Sequence, residues 1–359
     1  MEQRTFNQLL AAAVKNGASD IHLKAGAPPA LRINGSLLPV KVPALMPEDT
    51  QAIAQFILAG NRWKGDIHEL RDWDTSYAVE DVGRFRCNIF RQKGNFALVL
   101  RAIPFNVPTV ESLGLPPVVK AMADYERGLV LLTGVTGSGK SSTLAAIVRQ
   151  INETTRAHIL TIEDPIEFLH EDKLSRVTQR EIGPDTGTFA QALRAALRQD
   201  PDVILVGEMR DKETIDIALK ASETGHLVLS TVHTTDAAKT IGRLCDAFPA
   251  DAQEPLRHRL AENLKGTISQ RLLPKAQGKG RVVAAEIMVA TEAIQEYITD
   301  PERTHEITDY LAKNRDVYGT QSFDQHLSEL YKAGAITLDV AKAAASNPSD
   351  FERALSFEP

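Results

Sequence analysis

Cysteines and long apolar runs are both scarce in this sequence, and their scarcity argues against several classes of protein. Only two cysteines occur among 359 residues, Cys87 and Cys245, and they form no C-x-x-C pair. A disulfide framework and a cysteine-ligated zinc site are therefore disfavoured, as expected in a reducing compartment. No apolar run approaches the roughly 20 residues that a membrane-spanning helix needs, and the early LLAAAV run is too short for a signal peptide. We expect a cytoplasmic protein whose contact with a membrane goes through a partner or a surface.

An excess of basic residues is also lacking. The 41 Lys and Arg are outnumbered by 47 Asp and Glu, which gives a net charge of −6. This balance provides no general attraction to a phosphate backbone, so nucleic acid is not an expected partner and a DNA translocase is disfavoured. What is present is the 43% hydrophobic and 25% charged composition of an ordinary soluble protein, at a length sufficient for two domains.

The first part of the chain predicts a small α+β domain. Helical spacing covers residues 6–17 and 47–60, and alternating apolar and polar residues around NG and KGN turns indicate antiparallel strands. The segment 104–117, PFNVPTVESLGLPP, has four prolines and little periodicity, so we interpret it as a linker. The predicted N-terminal domain therefore spans residues 1–103.

After the linker the pattern becomes that of a doubly wound α/β domain with a parallel sheet. Near-continuous apolar runs, expected of strands covered on both faces, alternate with helical stretches. The four runs are LVLLTG (129–134), HILTIED (158–164), DVILVGE (202–208) and HLVLSTVH (226–233). We expect this domain at residues 118–290 and a helical C-terminal region at 291–359.

The strongest motif is GVTGSGKS, Gly134 to Ser141, which fits the G-x4-G-K-[ST] pattern of a P-loop. It follows a predicted strand and opens a predicted helix, the context that a P-loop requires. Lys140 would reach the β- and γ-phosphates and the Ser141 hydroxyl would bind Mg²⁺. No NKxD motif for reading guanine is present, so ATP with Mg²⁺ is the expected ligand. The residues predicted to hold the nucleotide are Gly134, Thr136, Gly137, Ser138, Gly139, Lys140, Ser141 and Ser142.

Acidic residues follow two of the apolar runs. Glu163 and Asp164 end HILTIED, and Glu208 ends DVILVGE. In a parallel sheet the carboxyl ends of the strands gather at one edge, where Lys140 is also expected. A carboxylate there can bind the magnesium shell or orient the attacking water, although an acid such as Asp164 can equally cap a turn. We assign Glu163 and Glu208 to catalysis, and Glu208 with Ser141 to the metal; which glutamate is the general base stays open.

Two histidines, His226 and His233, flank the last apolar run. Their separation of seven residues puts them on opposite faces of a strand. They would lie roughly 23 Å apart at about 3.3 Å per residue, so one ion cannot bind both. His233 is expected at the same edge as the P-loop, where it can contact a γ-phosphate. His226 falls at the opposite end, where a structural role is the alternative.

Three arginines of the N-terminal domain are candidates for stabilising a transferring phosphoryl group. GRFRCNIFR places Arg84 and Arg86 on one face of a strand, and Arg101 lies near the linker. Because they belong to the other predicted domain, they can act only across a domain or subunit interface. The alternative is that they are solvated arginines on an exposed sheet face.

These segments resemble the PilT/PilU group of type IV pilus retraction ATPases. The resemblance rests on GVTGSGKSSTLAA, HILTIEDPIEF, DPDVILVGEMRD, TGHLVLSTVHTTDAAKTI and GASDIHL, and it runs from about residue 6 to 290. It implies a PAS-like N-terminal domain, a RecA-like ATPase domain and a homo-hexamer. It also implies docking at the inner membrane on the pilus platform protein, with paralogous pilus ATPases as further partners.

The resemblance also assigns roles to individual residues. GVTGSGKS corresponds to the Walker A motif, TIEDPIEF to the Asp box, VILVGEMRD to the Walker B motif and GHLVLSTVH to the His box. The His box brings His226 as well as His233 to the nucleotide. The catalytic arginines of the family match Arg86 and Arg101, with Arg84 as a close alternative.

Two departures bear on function. Secretion and pilus-assembly ATPases usually carry a four-cysteine zinc insert, which is missing here and favours the retraction branch. Retraction ATPases carry AIRNLIRE, whereas this chain has AIQEYITD, with Gln295 and Thr299 in place of arginines. We therefore expect a hexameric motor ATPase for pilus retraction and twitching motility. The alternatives are a secretion or pilus-assembly ATPase, or a regulatory paralogue that binds ATP and hydrolyses it weakly.

Overall fold

The computed structural model describes residues 1–33, 35–59, 63, 65–103, 106–278 and 280–357. The chain forms two compact units. The first contains residues 1–106 together with the later segments 164–169 and 181–187. The second contains residues 107–163, 170–180 and 188–359. The division falls inside the predicted linker, of which Pro104 and Phe105 lie outside the described residues, as does Gly60 at the end of the second predicted helix.

The first unit is a six-stranded antiparallel sheet with the strand order β3-β2-β1-β6-β5-β4, packed against two helices. Its elements are α1 (Gln3–Lys15), β1 (Ala18–Lys24), β2 (Ala30–Ile33), β3 (Ser36–Pro39), α2 (Pro47–Ala59), β4 (Asp72–Val79), β5 (Gly83–Gln92) and β6 (Asn95–Ala102). Phe85, Cys87 and Ile89 alternate along β5 toward the core that the helices cover. Arg84 and Arg86, which alternate with these residues along the strand, therefore lie on the opposite face.

The second unit is built on a seven-stranded sheet with the order β13-β12-β7-β11-β10-β8-β9. Neighbouring strands from β12 to β8 are parallel, and β13 pairs antiparallel with β12. The strands are β7 (Gly128–Thr133), β8 (His158–Glu163), β9 (Arg176–Glu181), β10 (Val203–Val206), β11 (Leu227–Val232), β12 (Leu264–Pro274) and β13 (Arg281–Val289).

Helices follow most of these strands and form the C-terminal part of the unit. They are α3 (Pro117–Ala121), α4 (Lys140–Thr154), α5 (Phe189–Ala196), α6 (Lys212–Glu223), α7 (Ala237–Asp246), α8 (Ala250–Asn263), α9 (Glu292–Thr299), α10 (Glu306–Lys313), α11 (Arg315–Tyr318), α12 (Phe323–Lys332), α13 (Leu338–Ala344) and α14 (Pro348–Phe357), with a 3-10 turn at Met122–Asp124. Side-chain caps fix several starts: Thr188, Asp211 and Asp236 each accept a backbone N–H from the first turn of the helix that follows.

The predicted fold class is confirmed: a parallel α/β P-loop domain follows a smaller α+β domain. All residues of β7, β10 and β11 are buried, as continuous apolar runs require. The sequence analysis did not predict β9, whose RVTQRE segment is polar, or the β12–β13 hairpin. No helix in the described ranges has the length and apolar character to cross a membrane.

Both cysteines are free thiols inside their units. Cys87 lies in the core of the first unit with an exposure of 0%, and Cys245 on α7 has an exposure of 2%. Burial raises the pKa of each thiol above its ordinary value. Neither thiol is therefore disposed to ionise and react at neutral pH.

Candidate nucleotide-binding and active site

The P-loop occupies the turn between the end of β7 at Thr133 and the start of α4 at Lys140. Its tip, residues 135–137, is exposed, while Ser141 and Ser142 in the first turn of α4 are half-buried. Lys140 Nζ donates to the carbonyl oxygens of Gly134 at 2.7 Å and Val135 at 3.2 Å, which holds the ammonium group over the loop. Backbone N–H groups at the start of a helix and a fixed ammonium group together form an anion site.

Two glycines of this loop are required for different reasons. Gly139 caps α4 in the left-handed region at φ 96°, which glycine adopts without strain. Gly134 has φ 142°, and a Cβ there would lie 2.4 Å from Ser138 Oγ and 2.6 Å from the carbonyl oxygen of Gln270. The buried Ser138 side chain therefore packs against Gly134, and its backbone N–H donates to the carbonyl of Val135 at 3.2 Å.

Glu208 and His233 meet at the carboxyl edge of the sheet. His233 Nε2 lies 3.3 Å from Glu208 Oε1, and Arg210 Nε contacts the same oxygen at 2.6 Å. The pairing is set by β11, whose Ser230 and Thr231 hydroxyls donate at 2.7 Å to the carbonyls of Val206 and Gly207. The predicted grouping of these two residues is therefore present, and Arg210 joins them although the sequence analysis did not assign it a role.

Glu163 ends the neighbouring strand β8 and accepts hydrogen bonds from two neutral side chains. The Thr161 hydroxyl donates to Glu163 Oε1 at 2.6 Å, and Gln179 Nε2 donates to the same oxygen at 3.1 Å. Gly207 brings the chain of β10 against this residue: its N–H donates to the carbonyl of Ile162 at 2.8 Å, and a Cβ on Gly207 would lie 3.4 Å from Glu163 Cα. Both predicted catalytic glutamates thus lie at one edge of the sheet.

The register of β11 separates the two histidines. Val232 pairs with Thr133 and Leu227 with Gly128, so His233 is level with Gly134 whereas His226 precedes the opposite end of β7. His226 Nδ1 lies 2.9 Å from the carbonyl oxygen of Ala221 at the end of α6. The register therefore argues against a contact between His226 and a nucleotide on the P-loop of the same chain, because the length of β11 separates His226 from that P-loop.

The candidate arginines lie on the face of the first unit's sheet that is turned away from its core. Arg86 and Arg101 are direct cross-strand partners on β5 and β6, and both are exposed. Arg101 Nε is anchored by the buried carboxylate of Asp20 at 2.8 Å, while Arg86 makes no hydrogen bond or ion pair with the described part of the chain. Like charges directly opposite each other destabilise a sheet. The arginine pair is therefore better explained by binding of an anion than by a role in stabilising the sheet.

Arg84 differs from the other two. Its Nη2 lies 3.0 Å from Glu181 Oε2 and donates to the Ser76 hydroxyl at 2.8 Å. Glu181 is 2% exposed and also accepts the N–H of Ile166 at 3.1 Å. Arg84 is thus committed to neutralising a buried carboxylate within the first unit, whereas Arg101 contacts the buried Asp20 through Nε and Arg86 has no such partner in the described part of the chain.

Glu286 on β13 is a buried acid that the sequence analysis missed. It is 4% exposed, accepts the N–H of Ala237 at the start of α7 at 2.8 Å, and lies 3.3 Å from Ser269 Oγ. Burial raises the pKa of Glu286 to about 7, helped by the nearby carboxylate of Asp236 and opposed by the Ala237 N–H. Glu286 therefore fixes the segment that follows His233.

The donor set at the carboxyl edge suits a magnesium ion bound with nucleotide. No cluster of three or more His, Cys, Asp or Glu arranged to hold a metal ion occurs in the described ranges. A magnesium ion in a nucleotide site needs fewer protein ligands than such a cluster provides, because phosphates and waters supply most of its ligands. One or two protein oxygens complete its coordination. The Ser141 hydroxyl and the Glu208 carboxylate are oxygen donors of this kind.

The chain matches known proteins over most of its length. The family model of type II/IV secretion system proteins matches residues 1–347. The type IV pilus retraction ATPase PilT of Pseudomonas aeruginosa is 46% identical over 346 residues, which cover 96% of this chain and 99% of PilT. The type IV pilus ATPase PilU of the same organism is 39% identical over 345 residues, covering 96% and 90% of the two chains.

A solved structure agrees in fold as well as in sequence. The crystal structure of the pilus retraction motor PilT with bound ADP has a TM-score of 0.87 and 47% identity, covering 97% of this chain and 98% of that one. Agreement at this level over both units shows common ancestry of the whole chain, not of the P-loop alone. The protein is therefore an ATPase of the type II/IV secretion system protein family and belongs, within it, to the group that includes PilT and PilU.

Proposed function

We propose that this ATPase is a Mg²⁺-dependent, hexameric motor that powers type IV pilus retraction, the depolymerisation of pilin that underlies twitching motility. The observation that carries the proposal is the agreement with PilT over 96% of this chain and 99% of the relative. The complete set of Lys140, Glu163, Glu208 and His233 supports an active motor.

The P-loop would bind the triphosphate of ATP. Backbone N–H groups of residues 134–139 and the first turn of α4 would surround the phosphates. Lys140 would exchange the loop carbonyls that it now contacts for β- and γ-phosphate oxygens. Ser141 and Glu208 would hold Mg²⁺, which neutralises developing charge on the phosphates when bound.

Glu163 is the better candidate for orienting the attacking water, and Glu208 for the magnesium shell. Strand order supports this division, because β10 with Glu208 lies one strand nearer to β7 and its P-loop than β8 with Glu163. His233, level with Gly134 and 3.3 Å from Glu208, would contact the γ-phosphate and transmit its loss to the Walker B carboxylate.

Arg86 and Arg101 would complete the site by stabilising charge on the transferring phosphoryl group, a contribution of about 10³-fold or more where such arginines act. Asp20 contacts Arg101 through Nε at 2.8 Å and so fixes one edge of its guanidinium group. The exposure of both arginines suits a contact with a nucleotide on a neighbouring subunit of a hexamer.

The motor would work in the cytoplasm beneath the inner membrane, docked on the platform protein of the pilus machine. The first test is steady-state ATP hydrolysis by the purified protein with mass measured in solution, alongside Glu208→Gln. Turnover by a hexamer that collapses in the variant is expected. Deletion of the gene should leave excess surface pili and abolish twitching; loss of pili instead would assign the motor to assembly.

A second candidate function is that of an accessory paralogue with weak hydrolysis. It is favoured by AIQEYITD on α9, where Gln295 and Thr299 replace the arginines expected of a retraction ATPase. A hexamer that binds ATP without turning it over, in the wild type as in Glu208→Gln, would establish this candidate in place of the first.

A further inference from the structure

The side chain of Gln179, on the polar edge strand β9, connects two points of the second unit. Its Nε2 donates to Glu163 Oε1 at 3.1 Å, and its Oε1 accepts the backbone N–H of His170 at 2.9 Å. Glu163 and His170 are the two residues that flank the segment 164–169, which belongs to the other unit. One amide group therefore pins both ends of the segment within the second unit.

The orientation of this amide is determined by its partners. The N–H of His170 can only donate, so the amide oxygen must face it. The amide nitrogen is then left to face Glu163, whose ionised carboxylate can only accept. A hydrogen bond to an ionised group is stronger than one between neutral groups, so the side chain has one favourable arrangement.

Gln179 does not act on Glu163 alone. The Thr161 hydroxyl donates to the same Oε1 at 2.6 Å from within β8. Because a carboxylate is planar, two donors that approach Oε1 from β8 and β9 fix the plane of the group and therefore the direction of Oε2. A carboxylate that orients an attacking water needs this preorganisation, since misplacement by about 1 Å can cost about 100-fold in rate.

We infer that Gln179 is a positioning residue for ATP hydrolysis, which holds the Glu163 carboxylate in the orientation that activates the attacking water. The inference rests on the proposed role of Glu163. It extends the site to β9, at the edge of the sheet. It also gives a functional reason for the polar residues of this strand, which lies beside apolar strands.

The test compares Gln179→Met, which removes the donor at similar length, with Gln179→Glu, which also places a second carboxylate beside Glu163. In Gln179→Met we expect kcat to fall by about 10- to 100-fold with KM for ATP unchanged, the loss typical of residues that orient a group in direct contact with the reaction. In Gln179→Glu the two carboxylates would share a proton, so the acid limb of the kcat–pH profile should also move up by about one pH unit or more. The control is Gln191→Glu, the same change at an exposed position of α5, with wild-type activity expected.

A double variant separates positioning from general damage. If Gln179 acts through Glu163, adding Gln179→Met to Glu163→Gln should lower kcat no further, since coupled residues are not additive. Circular dichroism and binding of a fluorescent ATP analogue establish that each variant is folded. If both Gln179 variants have wild-type kcat while Glu163→Gln is inactive, the inference about Gln179 is wrong and the role of Glu163 stands. An equal loss of kcat in Gln191→Glu would also overturn the inference about Gln179. Wild-type kcat in Glu163→Gln would overturn the role of Glu163 and the inference with it.

Discussion

At the scale of single residues, the two acidic groups at the sheet edge differ in the partners that hold them. Glu208 Oε1 is contacted by Arg210 and His233, whereas Glu163 Oε1 is held by Thr161 and Gln179. Cationic and titratable neighbours suit a carboxylate that shares a metal shell and reports on phosphate. The hydroxyl and amide donors to Glu163 fix the orientation of its carboxylate, which a group that orients water and accepts a proton requires.

This contrast predicts different phenotypes for the two amide substitutions. Glu208→Gln should leave only a small residual turnover, and this turnover should need about tenfold or more Mg²⁺ for half-maximal activity, because the substitution weakens a ligand of the metal shell. Glu163→Gln should lower kcat by at least about 100-fold without changing that concentration. Magnesium titrations of ATP turnover measure both quantities. The reverse assignment of phenotypes would exchange the roles proposed for the two residues.

Glu286 predicts a pH dependence of stability. Its pKa of about 7 in the folded protein lies above the ordinary value of 4.5, so the folded state binds more protons than the unfolded state between these values. Stability is therefore lost as pH rises through this window, by roughly 3 kcal/mol at most. Glu286→Gln mimics the protonated acid and should be the more stable protein at pH 8, with its advantage shrinking toward pH 5.

Urea unfolding of both proteins between pH 5 and pH 8 measures this difference, because acid effects common to the two cancel. Glu254→Gln, an exposed glutamate on α8, is the control and should follow the wild type at every pH. A constant difference between wild type and Glu286→Gln across the range would mean that Glu286 has an ordinary pKa.

The positions of Glu163, Glu208 and His233 could be predicted because each directly follows a buried apolar run. Gln179 and Glu286 could not. Gln179 lies in RVTQRE, where no apolar periodicity marks a strand, and its partners are 9 and 16 residues away. Glu286 is the only charged residue between Arg281 and Val289 in β13, and its burial depends on a partner in α7, 49 residues away.

At the scale of elements, the P-loop turn depends on where its glycines approach other atoms. Gly134 and Gly137 both have positive φ, at 142° and 79°, but only Gly134 lacks space for a Cβ. Gly134→Ala should therefore lower stability by about 2 kcal/mol or more and abolish ATP binding, since both strain and a clash with the Gln270 carbonyl displace the turn.

Gly137→Ala is the matched control, because nothing lies within 4 Å of its Cβ position and only backbone strain is expected. It should cost about 1 kcal/mol and retain measurable affinity for ATP. Binding of a fluorescent ATP analogue and thermal unfolding test the pair. Equal losses in both variants would show that the close approach at Gly134 is unimportant.

The strands themselves were predictable to the extent that they are buried on both faces. β7, β10 and β11 read as continuous apolar runs and were found within two residues of their observed ends. The edge strand β9 was missed because polar residues occupy it, and β12 because no turn signal divides it from α8, which ends at Asn263 directly before Leu264. Apolar pattern marks the centre of a sheet better than its edges.

At the scale of the whole molecule, the arginine pair predicts cooperation between subunits. If Arg86 and Arg101 act on a neighbouring subunit's ATP, a hexamer mixed from two inactive variants should regain activity. Lys140→Ala lacks a working P-loop but supplies arginines, and Arg86→Ala with Arg101→Ala supplies the P-loop. When the two variants are unfolded, mixed and refolded together, a fraction of wild-type ATP turnover should be restored. If no mixing ratio restores turnover, the arginines act only within their own chain.

Because both native thiols are buried, the protein can be labelled selectively with dyes for single-molecule fluorescence measurements. Cys87 and Cys245 are 0% and 2% exposed, with pKa values raised by burial, so maleimide dyes should leave them unmodified in the folded protein. A cysteine introduced at an exposed position of each unit would then take the dye selectively. Donor and acceptor pairs placed in this way would follow the distance between the two units through each cycle of ATP turnover, without first replacing either native cysteine.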